Sequence, residues 1–165
     1  MTDIDQTRAA GGVAEAGDRQ FATFFVDNLL FGVEVLRVQE VLRYQEMTPV
    51  PRAPEQIEGL INLRGQIVTA IDVRRRLGLG ARESGRTPMN MVIRAEDGAV
   101  SLLVDEIGDV LDVEQSDFEP VPENVAPSIR DLTTGVYKMK ERLLLVLDTN
   151  KAIETGYPAG RQRVQ

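Results

Sequence analysis

The 165-residue sequence contains no cysteine and no histidine. Without cysteine there is no thiol nucleophile, disulfide or thiolate-held zinc, and nothing favours an oxidising compartment. Without histidine the usual physiological general base and the commonest metal ligand are missing, so serine-hydrolase triads and most transition-metal sites are excluded in their ordinary forms. Long hydrophobic runs are also absent. No segment approaches the roughly 20 apolar residues of a membrane helix, and no basic start followed by an apolar core marks a signal peptide. Basic residues are in deficit, 19 against 26 acidic ones, for a net charge of −7. That balance opposes a phosphate-tracking surface, so neither nucleic acid nor an anionic membrane is an expected partner. The expectation is a soluble cytoplasmic protein with no cofactor or metal.

What is present reads as strands. Residues 1–19, MTDIDQTRAAGGVAEAGDR, are small, polar and Gly-rich without a consistent apolar period and are expected to form a disordered tail. From Phe21, FATFFVDNLLFGVEV has two apolar runs around Asp27-Asn28, a pair suited to the positive dihedrals of a tight hairpin turn. MNMVIRAEDGAVSLLVDE repeats the pattern around Asp97-Gly98, and GVYKMKERLLLVLD turns near Lys140-Glu141. With QIVTAID from Gln66 and DVLDVE from Asp109, roughly eight strands are visible, the spacing of an all-β protein.

Helices are expected at VLRVQEVLR over 35–43, at VRRRLGL from Val73, stopped by Gly78 and Gly80, and at TNKAIETGY, with Thr149 as N-cap. TPVPRAPEQ is a stiff extended connection, and the Gly-rich stretch from Gly78 to Met89 divides the chain into two strand-rich halves. The halves echo each other: a hairpin ending FGVEV precedes VQEVL, and one ending LLVDEI precedes DVLDV, suggesting two similar small barrels.

One residue stands out in EGLINLRGQIVTAID. Arg64 follows an apolar run whose residues pull inward, and a buried guanidinium is expensive unless a carboxylate meets it. Elsewhere Arg74, Arg75 and Arg76 read as a solvated helix face, and adjacent Asp105 and Glu106 as surface acids near a turn. GLGARESG follows a helix-like segment and has neither the dinucleotide spacing nor a terminal GK[ST], so nucleotide binding is not expected.

Four motifs occur in order: Val38-Gln39-Glu40-Val41; Thr48-Pro49-Val50-Pro51 with Ala53-Pro54; Gly59 to Gly65, GLINLRG; and Ile71-Asp72-Val73-Arg74. Val104 to Ile107, Val110-Leu111 and Leu143 to Asp148 follow. This succession, from about Phe21 to Ile153, resembles the CheW coupling family of bacterial chemotaxis. The resemblance implies a mainly β domain over 20–155, two five-stranded barrels divided near 78–88, with short helices and a C-terminal tail at 156–165. It implies no catalysis, but an adaptor holding the terminal regulatory domain of the histidine kinase CheA against the cytoplasmic tip of transmembrane chemoreceptors, recruited to the membrane through those partners.

On that pattern Glu40 is the natural partner of Arg64, in a pair that is structural, functional or both. Val35, Val38 and Leu42 recur at helical spacing with Val41 alongside, a stripe that serves either the core or a receptor groove between the barrels. The receptor-binding expectation is Val35, Val38, Glu40, Val41 and Arg64, with Leu103 from the second half. Tyr44, Met47 and Val50 are apolar residues among polar neighbours, either folded back on the barrel or forming the kinase-docking face. Rival readings are a like scaffold in a surface-motility or developmental array, and a small carboxylate- or magnesium-dependent enzyme. The second needs clustered acids, and no such spacing is visible. After Ile153 too few residues remain to expect a receiver domain.

Overall fold

The computed structural model describes residues 18–155, apart from Ser84 and Asp97. The elements follow in order as β1 (Asp18–Val26), β2 (Leu29–Glu34), a 3-10 turn (Val35–Arg37), β3 (Val38–Arg43), β4 (Ile57–Leu63), β5 (Gln66–Asp72), α1 (Val73–Arg76), β6 (Met89–Ala95), β7 (Gly98–Val104), β8 (Glu106–Glu114), a 3-10 turn (Gln115–Asp117), α2 (Pro127–Arg130), β9 (Thr133–Lys138), β10 (Leu143–Leu147) and α3 (Thr149–Ala152). They form two mixed five-stranded sheets, in the orders β8-β1-β2-β10-β9 and β3-β6-β7-β5-β4. Ladder pairing gives each sheet a linear five-strand order, with no ladder between its end strands among the described residues.

The turns obey local chemistry. Val26 pairs with Leu29, leaving Asp27-Asn28 as a two-residue loop with Asp27 at φ 61°. Ala95 pairs with Gly98; Asp97, the residue expected to turn that hairpin, lies outside the described residues. Met139 donates to the Arg142 carbonyl around Lys140-Glu141. Each of α1 and α3 starts where an aspartate caps it: Asp72 accepts from Arg74 N and Asp148 from Lys151 N. The cap of α3 is therefore Asp148, and Thr149 is its first helical residue.

Three further expectations are corrected. VLRVQEVLR is not a helix: after one 3-10 turn, Val38–Arg43 is an edge strand paired with β6. Its β-branched valines suit a pleated surface, and a bulge between Val38 and Glu40 breaks the strand's alternation, which had mimicked a helical period. EGLINL is also a strand, completing a count of ten among the described residues. Asp18 and Arg19, assigned to the tail, begin β1 opposite Glu114 and Val113.

The Gly-rich stretch does not separate the sheets. It joins α1 to β6, and each sheet takes strands from both sides of it. The strand registers nevertheless reveal a duplication. In each half a hairpin (β1–β2, β6–β7) is followed by a bulged strand (β3, β8), a second hairpin (β4–β5, β9–β10) and a one-turn helix (α1, α3). Phe24 opposes Phe31 as Ile93 opposes Val100. Thr69 lies parallel to Val100 as Leu145 lies parallel to Phe31. Val41 opposes Met91 as Val110 opposes Ala22. Gly59 and Gly135 are equivalent too, and a Cβ on either would meet the side chain before an edge-capping bridge, Met47 or Phe118. The first hairpin of each half completes the sheet of the other half.

Because the sheets pack on each other, several strands are buried on both faces and read as continuous apolar runs, as in LLLVL. The largest core, including Phe24, Phe31, Val33, Met91, Leu102 and Val104, draws on both sheets. Phe21, Tyr137 and Leu144 form a second core on the first sheet, and Ile61, Val68 and Val92 a third on the other.

Candidate functional site

The cation in GLINLRG is explained by the β4–β5 hairpin. Leu63 pairs with Gln66, so Arg64 and Gly65 are the two loop residues, at φ 52° and 85°. Two consecutive positive dihedrals define the turn whose twist matches the flanking strands, and glycine tolerates the second. Asn62 Oδ1 braces it by accepting from Gly65 N at 2.9 Å. The expectation of an inward-facing Arg64 is therefore wrong: its side chain is 69% exposed. The expected partner is correct. Arg64 Nη2 donates to Glu40 Oε2, whose side chain is only 20% exposed. The charge pair ties the hairpin tip to the edge strand β3.

Glu40 opposes Val92, of the third core, so the tie lies on one face of β3 and an apolar patch on the other. The bulge turns both Val38 and Val41 toward the side of the sheet that faces the other sheet, since they oppose Ile93 and Met91, members of the shared core. Val41 is exposed at the edge, while Val38 is partly buried against that core. Val35 is partly buried, and beside it Leu36 is 85% exposed, the most exposed large apolar side chain described. Arg94 Nη1 donates to the carbonyls of both Leu36 and Val38 and holds the segment in place. Val110, the counterpart of Val41 on β8, is also exposed and faces the same inter-sheet side.

Leu103 does not belong to this face. It is fully buried on β7, opposite Asn90 and Asp72, and shares the pleat face of Ser101, which bonds Asn90 Oδ1 on the far side from the shared core. Of the other trio, Tyr44 is exposed, Val50 is partly buried, and Met47 packs against the third core beside the Thr48–Leu60 bridge that covers the edge of β4. Leu36 and Val110 escaped sequence reasoning. Both are single apolar residues whose exposure depends on which sheet their segment joins.

The largest electrostatic feature was also missed. Arg74 is buried: Nη1 meets Asp105 at 2.7 Å, Nη2 meets Asp27 at 3.3 Å and Nε donates to the Gly80 carbonyl. Arg82, from the Gly-rich stretch, meets Asp105 at 3.0 Å and Asp72 at 3.4 Å. Asp105 also accepts from Asp27 N. Burial would raise the Asp105 pKa, but the Asp27 N–H, Arg82 and Arg74 outweigh it and hold the carboxyl below its usual value. Four chain segments, at 27, 72–74, 80–82 and 105, meet in this network and link both sheets. Arg74 and Asp105 are thus interior groups and not surface ones, whereas Glu106 is exposed and pairs with Arg86.

Among the described residues no group of three or more acids, histidines or cysteines could hold a metal ion, and no helix is long and apolar enough to cross a membrane. Two interlocked sheets presenting a braced apolar edge, with their buried charges committed to one another, define a docking scaffold. Comparison with known proteins agrees. Residues 20–156 match the CheW-like domain model, and the chain belongs to that family of non-enzymatic chemotaxis scaffolds. It is 31% identical over 132 residues to the chemotaxis protein CheW of Rhizobium meliloti, covering 80% of this chain and 85% of that one. Against CheW of Bacillus subtilis the identity is 32% over 131 residues, covering 79% and 84%. The crystal structure of the scaffolding protein TtCheW from Thermoanaerobacter tengcongensis superposes with a TM-score of 0.70 at 27% identity, covering 78% of this chain and 88% of the other.

Proposed function

We propose that this chain couples transmembrane chemoreceptors to the histidine kinase CheA, bridging the receptor's cytoplasmic tip and the kinase's terminal regulatory domain. The protein stays in the cytoplasm and reaches the membrane through these partners. The observation that carries the reading is the Glu40–Arg64 tie beside an exposed valine on the inter-sheet side of an edge strand. An apolar helix tip gains most by burying such side chains where the backbone is already fixed, because little ordering cost is left to binding. Val35, Val38, Glu40, Val41 and Arg64 form the receptor-binding edge, to which both faces of β3 contribute. Tyr44, with Val50 and the partly covered Met47, forms the kinase face on the same sheet. Leu103 supports that sheet from within and contributes no contact.

Glu40→Ala separates a binding role from a structural one. A pair this exposed on the arginine side contributes about 1 kcal/mol or less to stability, yet its loss frees the hairpin tip and the edge strand together. Receptor-fragment affinity is expected to fall by tenfold or more while the urea midpoint barely moves. An unchanged affinity would leave the pair as packing alone.

A further inference from the structure

The duplication makes each half of the molecule a control for the other. Beside Tyr137 the first sheet has a cleft of about 280 Å³, lined by Arg19, Glu34, Arg37, Phe118, Tyr137 and Leu147. The registers identify the equivalent residues on the second sheet. Tyr137 opposes Leu144 as Ile61 opposes Val68, Phe118 precedes its bridging residue as Met47 does, and Glu34 opposes Phe21 as Leu103 opposes Asn90. There Ile61 and Leu103 are fully buried and Met47 packs over the core. The fold is thus satisfied by apolar residues at these positions, and polar groups in the first sheet are a departure it does not require.

Two polar groups of the cleft are poorly used by the protein itself. Tyr137 is 1% exposed, and its Oη is buried with no hydrogen-bond partner among the described residues. Leaving such a group unmet is costly, and phenylalanine would fill the same volume. Arg37 donates Nη2 to the Arg94 carbonyl but has no carboxylate within ion-pair distance among the described residues. Of the four charged residues lining the cleft, Glu34 is paired with Arg19 at 2.8 Å and Asp148 caps α3. One guanidinium is left over. Burial raises the Tyr137 pKa, with Arg19 opposing and Glu34 and Asp117 adding, so the phenol stays protonated and available as a donor.

We infer that this cleft binds a small organic carboxylate, its anionic end held by Arg37 and the Tyr137 hydroxyl and its apolar body lying on Phe118 and Val146. At roughly 30 Å³ per water-sized atom group the volume holds about nine or ten heavy atoms. That is the size of an aryl-acetate and too small for a nucleotide. Phe118 is 41% exposed, lies tilted at 55° to the Tyr137 ring with centroids 5.3 Å apart and supplies the aromatic wall.

The test is an NMR titration of the full chain with phenylacetate, in parallel with its neutral isostere phenylacetamide. Saturable shifts are expected around 115–118 and 134–137, with a dissociation constant of roughly millimolar order for so small a ligand. Phenylacetamide and Arg37→Gln are each expected to weaken binding about tenfold, and Tyr137→Phe several-fold. Tyr137→Phe conserves the packed volume, and the amide spectrum and thermal melt of each variant establish that it is folded. Shifts that do not saturate overturn the inference. Equal binding of the amide overturns it as well, as does undiminished binding by a folded Arg37→Gln or Tyr137→Phe chain.

Discussion

Asp105→Asn tests how the two sheets are held together. The carboxylate is 10% exposed and receives three donors: Arg74 Nη1 at 2.7 Å, Arg82 Nε at 3.0 Å and Asp27 N at 2.7 Å. The amide keeps the volume and one carbonyl acceptor but brings an NH2 group to face guanidinium donors and removes the shared anion. Breaking a buried pair from one side typically costs 3–5 kcal/mol. Here Arg74 retains Asp27 at 3.3 Å and Arg82 retains Asp72 at 3.4 Å, so the lower end, about 3 kcal/mol, is the expected loss. For a domain of this size that lowers Tm by about 6–12 °C. The sign with pH follows from the depressed pKa. The Asp105 contribution is present in full above the unfolded-state value of 3.8 and is lost as pH falls through the lower folded value. Urea unfolding at pH 7 and at progressively lower pH would show the parent and the variant converging below that value. A variant within about 0.5 kcal/mol of the parent at pH 7, or a difference that persists unchanged in acid, would refute the network's role.

Other outcomes follow from the same geometry. Val41→Asp is expected to change stability by less than about 1 kcal/mol, because the side chain is exposed at an edge, while abolishing receptor-fragment binding in a pull-down. Leu103→Ala is expected to cost about 2–5 kcal/mol by calorimetry, with receptor affinity of the folded fraction unchanged, as suits a residue that only supports the sheet. Gly59→Ala would place its Cβ 2.7 Å from the Thr48 carbonyl and is expected to unseat the 48–60 bridge. Its hydrogen-exchange protection at Thr48 and Leu60 should fall before that of the shared core.

Much of the fold was legible because short-range chemistry dictated it. The Asp27-Asn28 and Lys140-Glu141 turns, strand β5 and the Gly78 stop of α1 lie where turn residues and apolar runs place them. The segment 35–43 was not, since a bulge shifts the pleat by one residue and turns a strand's alternation into an apparent helical stripe. Arg64 was misplaced for a related reason: the apolar run that drew it inward ends one residue earlier, at Leu63, and the cation belongs to the turn. Its partner Glu40 was legible from the family's motif order. The buried Arg74, Arg82 and Asp105 were not, because their pairing depends on an exchange of hairpins between halves, a long-range fact with no local periodicity. The faint echo between FGVEV–VQEVL and LLVDEI–DVLDV was the trace of that duplication, although the linker it suggested does not divide the sheets.

The most direct measurement mixes this chain with a receptor cytoplasmic fragment and a CheA kinase, and follows ternary assembly and autophosphorylation together. If the chain bridges the two, sedimenting complexes form only when all three are present, and kinase activity rises with them. Assembly or activation that proceeds equally well without the chain, or with the Glu40→Ala and Val41→Asp variants in its place, would contradict coupling through this face.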